Sequence, residues 1–131
     1  MKTLLSLLTG AWVIGAAQLC LAETPAIPTT PPLKAAAIVK LLDGHSFAFT
    51  ASDAPLTATT HWDMSKQTVS GDYTYDGKKG TFETPWSIEG DKSCTLSGEA
   101  GAKVCQTVYA YQNGFMEVNA DGTVHGVSVP K

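Results

Sequence analysis

Three histidines, four carboxylates and a pair of cysteines are the residues of this chain whose types and spacing could do chemistry. His45, His61 and His125 together could ligate zinc or copper. No two of them stand at the i/i+2 or i/i+4 spacing that preorganises a pair of ligands, so the sequence assigns them separate structural or surface roles. Asp72, Asp76, Glu83 and Glu89 could supply the two carboxylates of a glycosidase, which face each other across ~5–10 Å. Most of them fall at turns or on polar strand positions, where a carboxylate is simply solvated. There is no G-x-S-x-G, no P-loop and no H-E-x-x-H. His45 and Ser46 are neighbours, but adjacent strand residues point to opposite faces and share no proton. The expectation is a protein that is not an enzyme, has no catalytic set and no metal site, and needs no cofactor.

The cysteines are read through the start of the chain. Met1–Ala22 (MKTLLSLLTGAWVIGAAQLCLA) has a basic Lys2, an uncharged apolar run from Leu4 to Ala17, and small residues at Cys20 and Ala22. That is the pattern of a secretory signal peptide cleaved before Glu23. A lipid on Cys20 is the competing reading, and Leu19 is a poor residue to precede it. A retained anchor would be short for the ~20 apolar residues that span a bilayer. The expected location is periplasmic or secreted, with no stable membrane span after cleavage. Cys94 and Cys105 remain, and in an oxidising compartment two cysteines make one disulfide. Their spacing is far from the C-x-x-C of redox pairs. A loop this short contributes ~3 kcal/mol in the chain-entropy account.

Charge narrows the partners. The chain carries 9 Lys+Arg and 12 Asp+Glu, and every basic residue is lysine. Only Lys2 lies in the leader, so the mature domain holds eight lysines against twelve carboxylates, a balance of −4. Arginine is the preferred fork for phosphate and guanine edges. An acidic domain without arginine is unsuited to nucleic acid or an anionic membrane.

Three segments must position whatever chemistry remains. Glu23–Pro32 (ETPAIPTTPP) has four prolines and reads as an extended tether. Leu33–Leu42 (LKAAAIVKLL) reads as the one helix, stopped by Asp43-Gly44. From His45 the apolar period is two. Leu56, Ala58, Thr60 and Trp62 form one inward row, Val69, Gly71, Tyr73 and Tyr75 a second, Phe82, Thr84, Trp86 and Ile88 a third. Asp76-Gly77, Asn113-Gly114 and Asp121-Gly122 mark hairpin turns. Two-residue loops at the last two would oppose Tyr111 with Met116, Tyr109 with Val118, Val118 with His125 and Met116 with Val127. Tyr109, Tyr111, Met116, Val118, His125 and Val127 would then share the core side of a meander. About eight strands in this length predict a mainly β domain over Leu33–Lys131, a small antiparallel barrel or sandwich with one short N-terminal helix.

The aromatic residues are the remaining resource. Most should pack the core. Trp62, Tyr73 and Tyr75 are the candidates to face a ligand. The stretch Trp86–Gly126, with W-S-I-E-G-D-K-S-C, V-C-Q-T-V-Y and G-F-M-E-V-N-A-D-G-T-V-H-G, resembles an uncharacterised family of small exported proteobacterial proteins that carries only a domain-of-unknown-function label. The resemblance extends to Leu33–Gly44, Tyr73–Gly77 and the cysteines Cys94 and Cys105. It implies a compact, lipocalin-like β-barrel and no activity or catalytic set. The arginines usual in that family are absent here.

The function expected is a non-catalytic binding module for a small apolar ligand or an envelope protein. An inhibitor or immunity-type protein using the stapled loop Gly98–Gly101 against a hydrolase is the alternative, and a small hydrolase the third reading. A cavity lined by Trp62 and Tyr73 favours the first. A filled core with a protruding loop favours the second. A cleft that joins a carboxylate to a histidine favours the third.

Overall fold

Alternating apolar and polar residues give each strand one face for a core and one for solvent, and here eight such strands curl until the last meets the first. The computed structural model describes residues 24–97 and 101–131. The leader with Cys20, and residues 98–100 of the stapled loop, lie outside them. Among the described residues the order is α1 (Ala35–Leu42), β1 (Ser46–Ala51), β2 (Leu56–Asp63), β3 (Thr68–Tyr75), β4 (Lys78–Glu89), β5 (Lys92–Ser97), β6 (Ala102–Tyr111), β7 (Gly114–Val118) and β8 (Val124–Pro130). Each strand pairs antiparallel with its sequence neighbours. β1 pairs with β8 from Phe47↔Pro130 to Ala51↔Gly126, which closes the barrel and leaves no open sheet edge. Of the two architectures expected, the barrel is the one formed.

The helix closes one end. Its Ile38 and Leu42 are fully buried and pack with Phe47, Trp62, Val69, Trp86, Val108 and Phe115. Aromatic edges fill the gaps, with ring centroids 5.1 Å apart for Trp62 and Trp86 and 4.9 Å for Phe47 and Phe115. Both indoles are satisfied, Trp62 Nε1 donating to Thr60 Oγ1 and Trp86 Nε1 to Ser93 Oγ. The helix starts at Ala35, two residues later than expected, because Lys34 is extended and the Leu33 amide donates to the carbonyl of Val108 at the point where β6 leaves β5. Asp91 Oδ1 accepts from the Ala35 amide, and Gly44 takes the left-handed conformation (φ 78°) that ends the helix.

The inward rows expected on β2, β3 and β4 face the interior. The row expected on β6, β7 and β8 does not. Tyr111 opposes Gly114, Tyr109 opposes Met116 and Thr107 opposes Val118, because Gln112-Asn113 forms the turn and Gly114 opens the strand. The parity is as expected but the side is reversed. Val108, Phe115 and Glu117 face inward, while Tyr109, Tyr111, Met116, Val118 and Val127 form a second apolar cluster with Val124 on the outside. Neighbouring rings and methyls bury Met116 completely even there. His125 leaves that outward row because Val118 pairs with Val124 where the expected partner was His125. This one-residue slip is a β-bulge that turns the imidazole inward.

Cys94 and Cys105 oppose each other directly on β5 and β6, Cα to Cα 4.0 Å, and are joined by a disulfide. Replacing Leu42 by Ala should cost about 2–5 kcal/mol in urea unfolding, because the plug has no way to collapse into the space. Leu96→Ala, at the exposed opposite rim, should change the same measurement by less than about 0.5 kcal/mol.

Candidate functional site

With the helix filling one end, the other half of the barrel is hollow. A cavity of about 880 Å³ lies above the plug. Its floor is Trp62, Val69 and Thr84, and its wall carries Phe49, Tyr73 and Phe82. Leu56, Tyr75, Lys78 and Leu96 stand at the strand ends that form its mouth. The candidates Trp62, Tyr73 and Tyr75 all line this one space, Trp62 at the floor, Tyr73 on the wall and Tyr75 half-exposed at the rim.

Two glycines shape the wall. Gly80 opposes Tyr73 across β3 and β4, and the phenol lies so close over it that a Cβ there would stand 2.6 Å from the hydroxyl. Gly126 does the same for Phe49, whose ring would meet a Cβ at 2.5 Å. Phe49 in turn stacks on His125, with centroids 5.2 Å apart. A strand glycine under an aromatic ring is a recurrent way to seat that ring in a curved sheet.

Beyond scattered threonine and serine hydroxyls, one stretch of the wall gathers stronger polar groups. Gln106 and Glu117, from neighbouring strands β6 and β7, and His125 from β8 all face the cavity. His125 is held from behind. Its Nδ1 lies 3.0 Å from Asp53 Oδ2, on the β1–β2 connection, and Asn119 Nδ2 donates to the same oxygen at 3.1 Å. Gln106 Nε2 donates to Asn119 Oδ1 at 3.2 Å. Burial alone would push the Asp53 carboxyl up. The bonds from His125 and Asn119 outweigh it, and the group sits below the ordinary carboxylate range. An ionised Asp53 accepts from the Nδ1–H of His125 and so fixes the orientation of the imidazole.

Glu117 is different. It is 6 % exposed, it opposes Val108 and Gly126, and among the described residues nothing donates a hydrogen bond to it. Burial drives its carboxyl above the ordinary range; His125 pulls it back in part, and Asp53 adds to the rise. Ser128 Oγ, on the inward row nearby, also lacks a partner. Sequence reasoning missed Glu117, Asp53 and Gln106. The signal available was a glutamate in the strand G-F-M-E-V, between two apolar residues.

The other candidates are dispersed. His45 Nδ1 donates to the carbonyl of Leu41 beside the helix end, and His61 meets the Ser46 hydroxyl on the outer surface, both at the end of the barrel remote from His125. Asp72, Asp76, Glu83 and Glu89 are exposed outside the cavity, Glu89 paired with Lys103. Glu89 also lies close to both cysteine sulfurs, but these are already joined in the disulfide.

Comparison of the chain with protein-family models, with curated proteins and with solved structures found no match.

The pH dependence of stability has a definite sign. Glu117's folded pKa is raised, so its contribution is full below the unfolded value of about 4.3 and is lost as pH rises through the folded value. Asp53 is depressed, so its contribution is present above about pH 4 and is lost as pH falls through its folded value. Glu117→Gln keeps the shape and removes the first titration. Between pH 5 and 8 its melting temperature should vary less than that of the parent. At neutral pH it should lie about 5 °C higher, the shift expected of roughly 1 kcal/mol in a domain this size.

Proposed function

We propose that the protein is a non-catalytic binding module, periplasmic or secreted, that holds a small apolar ligand in the open half of its barrel. The observation that carries this is the cavity itself: about 880 Å³, walled mainly by aromatic and aliphatic side chains with a few hydroxyls among them, and with Gln106, Glu117 and His125 clustered on one side. Ligand sites are concave, mainly apolar and ~300–1,000 Å³ in volume, with a few convergent polar groups that orient the guest. A core whose only task was stability would be filled, because an empty space costs the contacts of every atom that lines it. The compartment is supported by the secretory pattern of Met1–Ala22, by the resemblance to exported proteins and by the disulfide.

The polar patch favours one other reading. His125 is oriented by Asp53 as the base of a hydrolase would be, and Glu117 lies beside it in the same hollow. Among the described residues no hydroxyl or thiol is hydrogen-bonded to His125, so a nucleophile for covalent catalysis is missing from the arrangement. Binding is the function that uses every feature of the cavity. The inhibitor reading depends on Gly98–Gly101, of which 98–100 lie outside the described residues.

An uncharged, environment-sensitive fluorophore titrated into the protein should bind saturably, one per chain, and quench tryptophan emission through Trp62. Ala58→Trp projects an indole from the cavity wall and should abolish that binding while leaving the melting temperature equal or higher. Unchanged binding in this variant would place the fluorophore on the outer surface and overturn the proposal.

A further inference from the structure

We infer that the cavity is built for an amphiphile with a cationic head, a protonated amine, whose ammonium group is held by Glu117. This rests on the reading of the cavity as a ligand site and names the chemistry of its guest. Glu117 is more than nine-tenths buried, faces the hollow and has no hydrogen-bond partner among the described residues. Its register neighbours Val108 and Gly126 offer no side-chain donor. Gln106, the nearest amide on the inward row of β6, is turned to Asn119. The charged and titratable groups around it are His125 from β8 and Asp53 behind it, and the imidazole is already engaged with Asp53 through Nδ1. The patch thus holds two carboxylates and one imidazole, and the carboxylate that points into the cavity is the one left without a donor among the described residues.

An ionised carboxylate only accepts hydrogen bonds. What completes Glu117 is a donor, and a positively charged donor also offsets the cost of burying the charge. The walls suit the same guest. Trp62, Phe49, Tyr73 and Phe82 present aromatic surface to an alkyl or aryl body, and π-faces attract an ammonium. An anionic head, a fatty acid or a phosphate ester, would meet the charge of Asp53 and would hold Glu117 in its protonated form. It would also find no arginine, since the chain has none, and only Lys78 at the mouth. Where the empty cavity holds Glu117 protonated, an incoming ammonium displaces that proton to solvent, so binding releases up to one proton and tightens as pH rises toward neutrality.

Calorimetric titration with octylamine, octanol and octanoate, at about pH 7.5 and in two buffers of different ionisation enthalpy, tests this. The three probes share a tail and differ only in the head. Octylamine should bind about tenfold or more tightly than octanol, the factor expected of one charge-assisted hydrogen bond, and octanoate should bind most weakly. Glu117→Gln should bring octylamine down to octanol and leave octanol unchanged. Glu83→Gln, at an exposed site outside the cavity, makes the same change in net charge and should keep the preference. Octanol or octanoate binding as tightly as octylamine would overturn the inference while leaving the cavity reading intact. Equal losses of octylamine affinity in the two variants would overturn it as well. No binding by any of the three would overturn the cavity reading, and this inference with it. The ranking in the unmodified protein decides the matter even if Glu117→Gln does not fold.

Discussion

Everything in this molecule depends on the pairing of β1 with β8. Until Phe47 reaches Pro130 and Ala51 reaches Gly126, the chain is a twisted meander with two open edges. Once the pairing forms, every strand has an inside and an outside, and the volume inside is set by strand number and tilt more than by the side chains available to fill it. Helix α1 is long enough to fill one end with Ile38 and Leu42. No other element among the described residues enters the barrel. The cavity is thus what remains when an eight-stranded barrel is given a plug of only eight residues.

The choice of which row faces inward on β6 and β7 decides what that cavity can recognise. The two rows available there are unequal. One carries Tyr109, Tyr111, Met116 and Val118; the other carries Gln106, Val108, Phe115 and Glu117. Transfer of apolar surface alone, at about 25 cal/mol per Å², favours turning the first row inward. The barrel turns the second. Part of the loss is recovered because the outer row buries itself sideways, Met116 disappearing beneath Tyr109, Tyr111 and Val127. Phe115 is also needed in the plug, where it meets Phe47 and Trp62. Glu117 is carried inward two positions further along the same strand. Burying a carboxylate with no hydrogen-bond donor among the described residues is a cost that the closed barrel carries at this position.

Most of the barrel is legible in the sequence, and the polar patch is not, for the same reason. On β2, β3 and β4 the apolar row and the inward row coincide, so Leu56–Trp62, Val69–Tyr75 and Phe82–Trp86 can be read directly from their period of two. Trp62, Tyr73 and Tyr75 stand on one cavity because those strands are neighbours and their turns are short. On β6 to β8 the same rule selects the outer face, since the more apolar row lies there. Turn chemistry preserved the parity, but parity carries no information about which side is in. The slip that frees His125 is local to one bulge, and nothing in Asp121-Gly122-Thr123 announces it. Asp53 and Asn119 come together from connections sixty-six residues apart, a distance that periodicity cannot bridge.

The disulfide is better understood through this patch than through overall stability. It joins the outward sides of β5 and β6, with Cys94 buried and Cys105 half-buried. Gln106 follows Cys105 and faces inward, where it donates to Asn119; Asn119 holds Asp53, and Asp53 holds His125. Every link in that chain after Gln106 belongs to a connection or a bulge at the open end, the least constrained part of a barrel. Restraining β6 against β5 at the residue beside Gln106 limits how far the first link can drift. β5 and β6 are thus tied covalently beside the residue from which this chain of hydrogen bonds starts, without any side chain being added to the hollow.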